Sequence, residues 1–290
     1  MKFDIYQLVT DEIITMLKTG VVPWRSPILG RQNAGFPKNT NTGREYRGIN
    51  RFLLGFTAWQ RGYDSSYWLT FNQAKDRGSS IRKGEKSSIV VFWKHYETTD
   101  AETGEPVNIP FLRYYRVFNV EQCEGIEAPD AIPYTPTDFK PIETAEAIVR
   151  GYIDGPTIEH RGVRAFYQPS NDVVQLPEQS RFASTEDYYA TLFHELAHST
   201  GHSKRLDRGL DTNLQPFGSP DYGKEELVAE MAAAFLSAHT EIKPITIENQ
   251  AAYIGGWMKQ LKQDKRLVVV AAGAAQRAAD RIFSDREAAE

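Results

Sequence analysis

Apolar residues recur every third or fourth position at the start of this chain, at Ile5, Leu8, Val9, Ile13, Met16 and Leu17. That spacing lines one face of an amphipathic helix, which Gly20 and Pro23 close. A turn-rich stretch follows, ending in Asn39-Thr40-Asn41-Thr42-Gly43. Ile49, Leu53, Phe56 and Trp59 then predict a second helix over 46–63. Residues 68–70 predict a short strand, and 72–77 a helical turn ended by Gly78. The runs 87–97 and 111–120 are rich in β-branched and aromatic residues. They predict two antiparallel strands joined across 100–108.

The pattern changes at 126–141, where Pro129, Pro133, Pro136 and Pro141 interrupt any periodicity, a linker signal. Beyond it the text predicts a helix over 143–153 and strands at 157–160, 163–167 and 173–176. Four helical patterns follow: the run YYATLFHELAHSTGH, then 224–236, 247–263 and the alanine-rich 267–283. The fold class expected is α+β in two domains. Residues 1–125 form an α+β domain, 126–141 a linker, and 142–290 a mostly helical domain with a small sheet.

At 290 residues there is room for two domains that each bury a core. The single Cys123 excludes an internal disulfide framework and suits a reducing cytoplasm. The first thirty residues lack the basic start and apolar centre of a signal peptide. No apolar run approaches the length of a membrane span. A soluble, cytoplasmic protein with no membrane partner is expected.

His194-Glu195-Leu196-Ala197-His198 carries the chemistry. Histidines four apart share a helix face and can grip one metal ion. Glu195, beside the first ligand, is placed to act as general base toward water at the metal, as in H-E-x-x-H peptidases. Glu226 is the expected third ligand, on a helix whose next turn carries Glu230. Glu230 is expected to fix the tautomer of His194. Glu225 is the rival ligand and His202 a weaker one, so His202 is placed at the rim with Tyr222. Lys204 stands where the third histidine of the extended zincin pattern would fall. Nitrogen and oxygen donors together point to zinc, with manganese or cobalt also accommodated.

Charge divides the chain. Residues 18–94 hold 14 Lys+Arg against 4 Asp+Glu, whereas 126–290 hold 17 against 25. Only the first half is therefore suited to a polyanion. Aromatic residues interleave with its cations, a pattern that serves unpaired nucleic acid through phosphate neutralisation and base stacking. The candidate contacts are Arg44, Tyr46, Arg47, Arg51, Trp68, Lys83, Lys86 and Lys94. Taken singly, each tryptophan is expected in the core. The Lys83-Gly84-Glu85-Lys86 loop lacks the spacing of a nucleotide-hydrolase phosphate loop.

Thr42-Gly43-Arg44-Glu45-Tyr46-Arg47-Gly48-Ile49-Asn50, the run 68–74 and Lys83-Gly84-Glu85-Lys86 resemble the amino-terminal single-stranded-DNA-binding domain of ArdC-type antirestriction proteins. A similar domain occurs in plasmid primases of the TraC type. FHELAHSTGH, KEELVAEMAAAFL and the terminal YIGGWMKQL and AAQRAADRIF resemble the zincin-like domain of the same family. The resemblance implies a plasmid-borne protein that binds single-stranded DNA and protects incoming conjugative DNA from host restriction. It also implies a metallopeptidase domain without fixing which protein, if any, it cuts; a protein of the restriction machinery is the candidate substrate. Two other readings remain: a DNA-coating shield with a structural metal site, or the DNA-binding part of a primase-type plasmid protein.

Overall fold

The structure is a computed structural model and describes residues 4–25, 36–99, 105–126, 141–182, 184–211, 220–242 and 250–283. Helix α1 (Ile5–Lys18) opens on Asp4, whose carboxylate accepts the amides of Tyr6 and Gln7. Its stripe of Val9, Ile13, Met16 and Leu17 is buried. Helix α2 spans Ile49–Arg61, three residues shorter at its start than the pattern predicts. The reason is Gly48, at φ 58° and ψ −134°, a backbone state closed to side chains with a Cβ. Tyr46 lies before the helix and donates its amide to the carbonyl of Pro37.

Strands β1 (Lys38–Asn39), β2 (Tyr67–Leu69), β4 (Ser88–Thr99) and β5 (Pro106–Asn119) form one sheet in the order β1-β2-β5-β4. Only the β1–β2 pairing is parallel. Between them sit α3 (Phe71–Asp76) and β3 (Ser80–Ile81), the latter paired with β6 (Cys123–Glu124). The two long strands extend beyond the predicted runs, and residues 100–104 of their connection lie outside the described residues. Strand β4 is an edge, and Asn50 of α2 covers it. Its side chain donates to the Val91 carbonyl at 2.8 Å and accepts the Val91 amide at 2.7 Å. One amide thus does the work of a neighbouring strand at that residue.

Of the predicted linker, residues 127–140 lie outside the described residues, and Pro141 opens α4 (Pro141–Gly151). A three-stranded sheet follows, β7 (Thr157–His160), β8 (Phe166–Gln168) and β9 (Val173–Leu176), ordered β7-β9-β8. Four helices complete the fold: α5 (Thr185–Ser199), α6 (Pro220–His239), α7 (Gln250–Gln263) and α8 (Leu267–Phe283). Helix α6 is apolar on nearly all sides, with Leu227, Val228, Met231, Ala232, Phe235 and Leu236 all buried. It packs between α5 and the alanine face of α8. No helix among the described residues is long and apolar enough to cross a membrane.

The expected order of an α+β segment and a mostly helical segment with a small sheet is present. The expectation that each buries its own core needs amendment, because the largest apolar cluster is common to both. Phe52 of α2 stacks on Phe235 of α6 at 5.1 Å, and Trp24 meets Trp257 of α7 edge-on at 5.9 Å. Polar ties cross the same boundary. Thr10 donates to the Lys265 carbonyl at 2.8 Å, the Gly48 amide donates to Gln276 at 3.1 Å, and Arg47 pairs with Asp280.

Replacing Asn50 tests the edge cover. Asn50→Ala leaves a buried amide and carbonyl of Val91 unpaired, and a loss of about 1–3 kcal/mol is expected. Urea unfolding of the intact chain measures it, and a midpoint equal to wild type would refute the role.

Candidate metal centre

Helix α5 is started by Ser184, whose hydroxyl accepts the Asp187 amide, with Glu186 and Asp187 complementing the helix dipole. Tyr188, Tyr189, Leu192, Phe193, Leu196 and Ala197 turn inward. That burial fixes the rotation of the helix and leaves His194 and His198 on its half-buried side, facing α6. The two Nε2 atoms are 3.1 Å apart. Glu226 on α6 closes a triangle, with its carboxylate oxygens 3.6 Å from His194 Nε2 and 3.5 Å from His198 Nε2. These three are the set of ligand-type side chains found together among the described residues. Bonds of about 2.0–2.1 Å to a tetrahedral ion imply donors separated by about 3.4 Å, so the triangle has the size of one tetrahedral face. The donors fit a divalent ion. Glu195 is buried at 7% exposure, and its charge acts on His198.

Glu225, the rival ligand, has another position. It lies 3.3 Å from His198 Nδ1, the ring nitrogen turned away from the triangle. Arg208 grips the same carboxylate, its Nε 2.9 Å from one oxygen and its Nη2 2.6 Å from the other. Arg208 also donates to the Ala197 carbonyl and the Thr200 hydroxyl at the end of α5. Burial opposes ionisation of Glu225, but Arg208 and His198 outweigh it and hold its pKa below the ordinary carboxylate value. Burial likewise opposes protonation of His198, yet Glu225, Glu195 and Glu226 raise its pKa to about 9. A carboxylate fixing a ligand's tautomer was expected from Glu230 toward His194, and for His198 it comes from Glu225. Glu230 accepts from the Tyr253 hydroxyl, which accepts the Trp24 indole N–H at 3.2 Å.

Past the helix the chain must turn tightly. Gly201 does so without a left-handed backbone, since Thr200 is the cap in right-handed conformation. Its role is space: a Cβ there would sit 2.6 Å from Leu210 and 3.0 Å from Arg208. His202 is outside the ligand set. Its Nδ1 accepts the Lys204 amide, and its Nε2 is 3.7 Å from Asp211. The side chain of Tyr222 lies outside the described residues, though its backbone is in the first turn of α6.

A second arginine fixes this end of α5 to the small sheet. The fully buried Arg205 side chain donates to the Ser199 carbonyl, the Asp154 carbonyl, the Tyr167 hydroxyl and the Asp172 carboxylate. Nothing in local periodicity marks Arg205 or Arg208 for these roles, because their partners lie up to 51 residues away.

The candidate DNA contacts divide by burial. Arg44, Arg47, Lys83, Lys86 and Lys94 are exposed, with Arg47 held by Asp280. Tyr46, Arg51 and Trp68 are not available to a ligand and are corrected to core positions. Tyr46 and Trp68 are 5% and 0% exposed and pack with Leu54, Val90 and Val117. Arg51 is buried among the Tyr46 carbonyl, Glu45 and the rings of Phe36 and Phe235, and burial pulls its pKa down to about 10.

The Arg205 cluster has a pH signature. Burial opposes ionisation of Asp172, but hydrogen bonds from Arg205 and Tyr167 prevail and lower its pKa. A carboxylate with a lowered folded pKa stabilises fully above its unfolded value of about 3.9, and that contribution disappears as pH falls through the folded value. Arg205→Ala should therefore cost about 3–5 kcal/mol at neutral pH. The deficit relative to wild type should shrink in acid. Unfolding titrations at pH 7 and below pH 4 would reveal it, and a deficit independent of pH would remove Asp172 from the account.

Comparison with known proteins follows the same division. Residues 3–118 match the family described as the N-terminal domain of anti-restriction factor ArdC, and residues 143–274 match the zincin-like metallopeptidase family. The Mn(II)-bound crystal structure of antirestriction protein ArdC from plasmid R388 is 37% identical, covers 98% of both chains and has a TM-score of 0.77. Its metal-free structure gives 38% and 0.76. The Sinorhizobium fredii protein y4eC is 35% identical over 99% of this chain and 94% of its own length. Two Escherichia coli proteins named DNA primase TraC are 37% and 35% identical over nearly all of this chain. The chain spans only 20% and 27% of their lengths. With both domains matched in order and a relative aligned end to end, this chain belongs to the ArdC antirestriction family.

Proposed function

We propose that this chain binds single-stranded DNA through its first segment and carries a metal-dependent peptidase site in its second, protecting incoming conjugative DNA from restriction. The observation that carries the peptidase reading is the triangle of His194, His198 and Glu226 with buried Glu195 on the same helix. A divalent ion held there would polarise a scissile carbonyl and make water a competent nucleophile at neutral pH. Manganese in the R388 relative supports a divalent ion, and the mixed donor set also suits zinc or cobalt. Glu195 takes the proton of the attacking water and delivers it to the leaving amine. With the ion bound, Glu225, itself held by Arg208, would accept the His198 Nδ1 proton and leave Nε2 free to coordinate. The peptidase substrate on this reading is a protein of the restriction machinery.

The cation-rich stretch 18–94 supports the DNA reading, and its exposed members Arg44, Lys83, Lys86 and Lys94 are the proposed phosphate contacts. The similarity to proteins named DNA primase favours a second reading. In it the chain is the DNA-binding part of a primase-type plasmid protein; the remaining reading is a DNA-coating shield with a structural metal site.

Two measurements distinguish these. The purified chain should hold about one equivalent of divalent metal. Glu226→Ala should lose it, and Glu225→Ala should weaken affinity by about 10–100-fold. Equal metal content in wild type and Glu226→Ala would remove the ligand assignment. Glu195→Ala should keep the metal but abolish proteolysis and restriction protection; protection that survives in this variant assigns the shield.

A further inference from the structure

We infer that the outward face of the β4–β5 hairpin is a stacking platform for the unpaired bases of single-stranded DNA, an assignment that rests on the DNA-binding reading above. The register places Val90 opposite Tyr115, Phe92 opposite Arg113 and Lys94 opposite Phe111. Paired residues share a face, and the face repeats every second residue. One face therefore carries Tyr115, Arg113, Phe111 and Ile109 from β5, and Phe92 and Lys94 from β4. Phe92, Tyr115 and Phe111 are 37–39% exposed and Ile109 47%, whereas the inner end of the same face is buried at Val90 and Val117 and the other face enters the core through Val91 and Leu112. Aromatic and cationic side chains alternate along both strands. Phe92 and Tyr115 meet across the strands at 5.7 Å, and the Arg113 guanidinium lies 5.7 Å from the Phe111 ring.

No strand residue on this face is acidic. Large apolar side chains grouped on a soluble surface mark an interaction site, and cations set between them specify the chemistry of the partner. Rings offer surfaces to bases, while Lys94 and Arg113, one residue-pair apart, are placed for successive phosphates. Tyr115 and Phe111 are separated by about 13–14 Å along β5, with Phe92 between them on β4, so a strand of DNA following the hairpin meets a ring at each step. A second copy of the chain is a poorer occupant, because a two-fold contact would oppose Lys94 and Arg113 to their own like charges. Buried Tyr46 borders the platform on the same face, packed with Val90 and Val117, its ring 6.1 Å from that of Phe92.

The test is fluorescence anisotropy of the full-length protein with a labelled oligodeoxythymidine of about 20 nucleotides, longer than one domain's site, across a salt series. Phe92→Ala and Tyr115→Leu should each weaken binding roughly 5- to 150-fold with the salt slope unchanged. Tyr115→Phe should bind as wild type, since stacking needs the ring and not the hydroxyl. Lys94→Ala and Arg113→Ala should each make the slope of log affinity against log salt shallower by about 0.7. Thermal melting of every variant should match wild type, because the side chains are exposed; binding by those that pass decides. Wild-type binding with Phe92→Ala and Tyr115→Leu both unimpaired overturns the platform and leaves the DNA reading intact. No binding by wild type at low salt overturns the DNA reading itself. A dimer in sedimentation that Phe92→Ala dissociates assigns the face to a second copy and overturns the platform.

Discussion

The close approach of α5 and α6 is the constraint on which the remainder depends. Donors separated by 3.1–3.6 Å on two different helices require backbones held to fractions of an ångström. Helix α6 achieves this by being buried on almost every side, so it has no free face about which to rotate. Against it lies α8, where Ala271, Ala272, Ala275, Ala278 and Ala279 remove the bulk that would keep two helices apart. Arg208 then links the end of α5 to the first turns of α6 through Glu225. Its charge also compensates the buried carboxylate that orients His198. Packing sets the distance and an ion pair sets the orientation.

The same helix also packs against the first segment. Phe52 stacks on Phe235, two turns beyond Glu226, and Trp24 donates to Tyr253, which donates to Glu230 one turn beyond Glu226. Residues of the first segment are thus part of the scaffold of the helix that carries Glu226. The continuous core makes the two family domains one packed unit, and it explains the buried cation at Arg51. That guanidinium lies between Phe36 and Phe235 and satisfies a loop carbonyl at the boundary between the segments.

For nucleic acid, the structure separates residues that look alike in one dimension. Tyr46 and Phe92 are both aromatic residues near cations, but Tyr46 fills the space beneath α2 while Phe92 stands outside it. Trp68 is enclosed by Tyr63, Leu54 and Val117. Phe92, Tyr115 and Phe111 are exposed rings on one face of the strand pair, and the exposed cations Arg44, Lys83 and Lys86 lie elsewhere on the first segment.

Local chemistry was legible in the sequence because its geometry spans only a few residues. The His194–His198 pair follows from helical periodicity, and the β4–β5 pairing follows from two β-branched, aromatic runs. Glu226 could be named from the same periodicity, since its helix face was visible once a third ligand was required. The assignment of Glu225 was decided by the rotation of α6, which depends on α8 some forty residues later. Arg205, Arg208 and Asn50 were invisible, because a buried polar side chain is recognised by its partners and those are distant in sequence. Burial of Trp68 was expected of a tryptophan taken singly, but burial of Tyr46 and Arg51 was invisible for the converse reason: alternating aromatic and basic residues suit both a stacking surface and a core edge. Only the position of α2 over the sheet distinguishes the two.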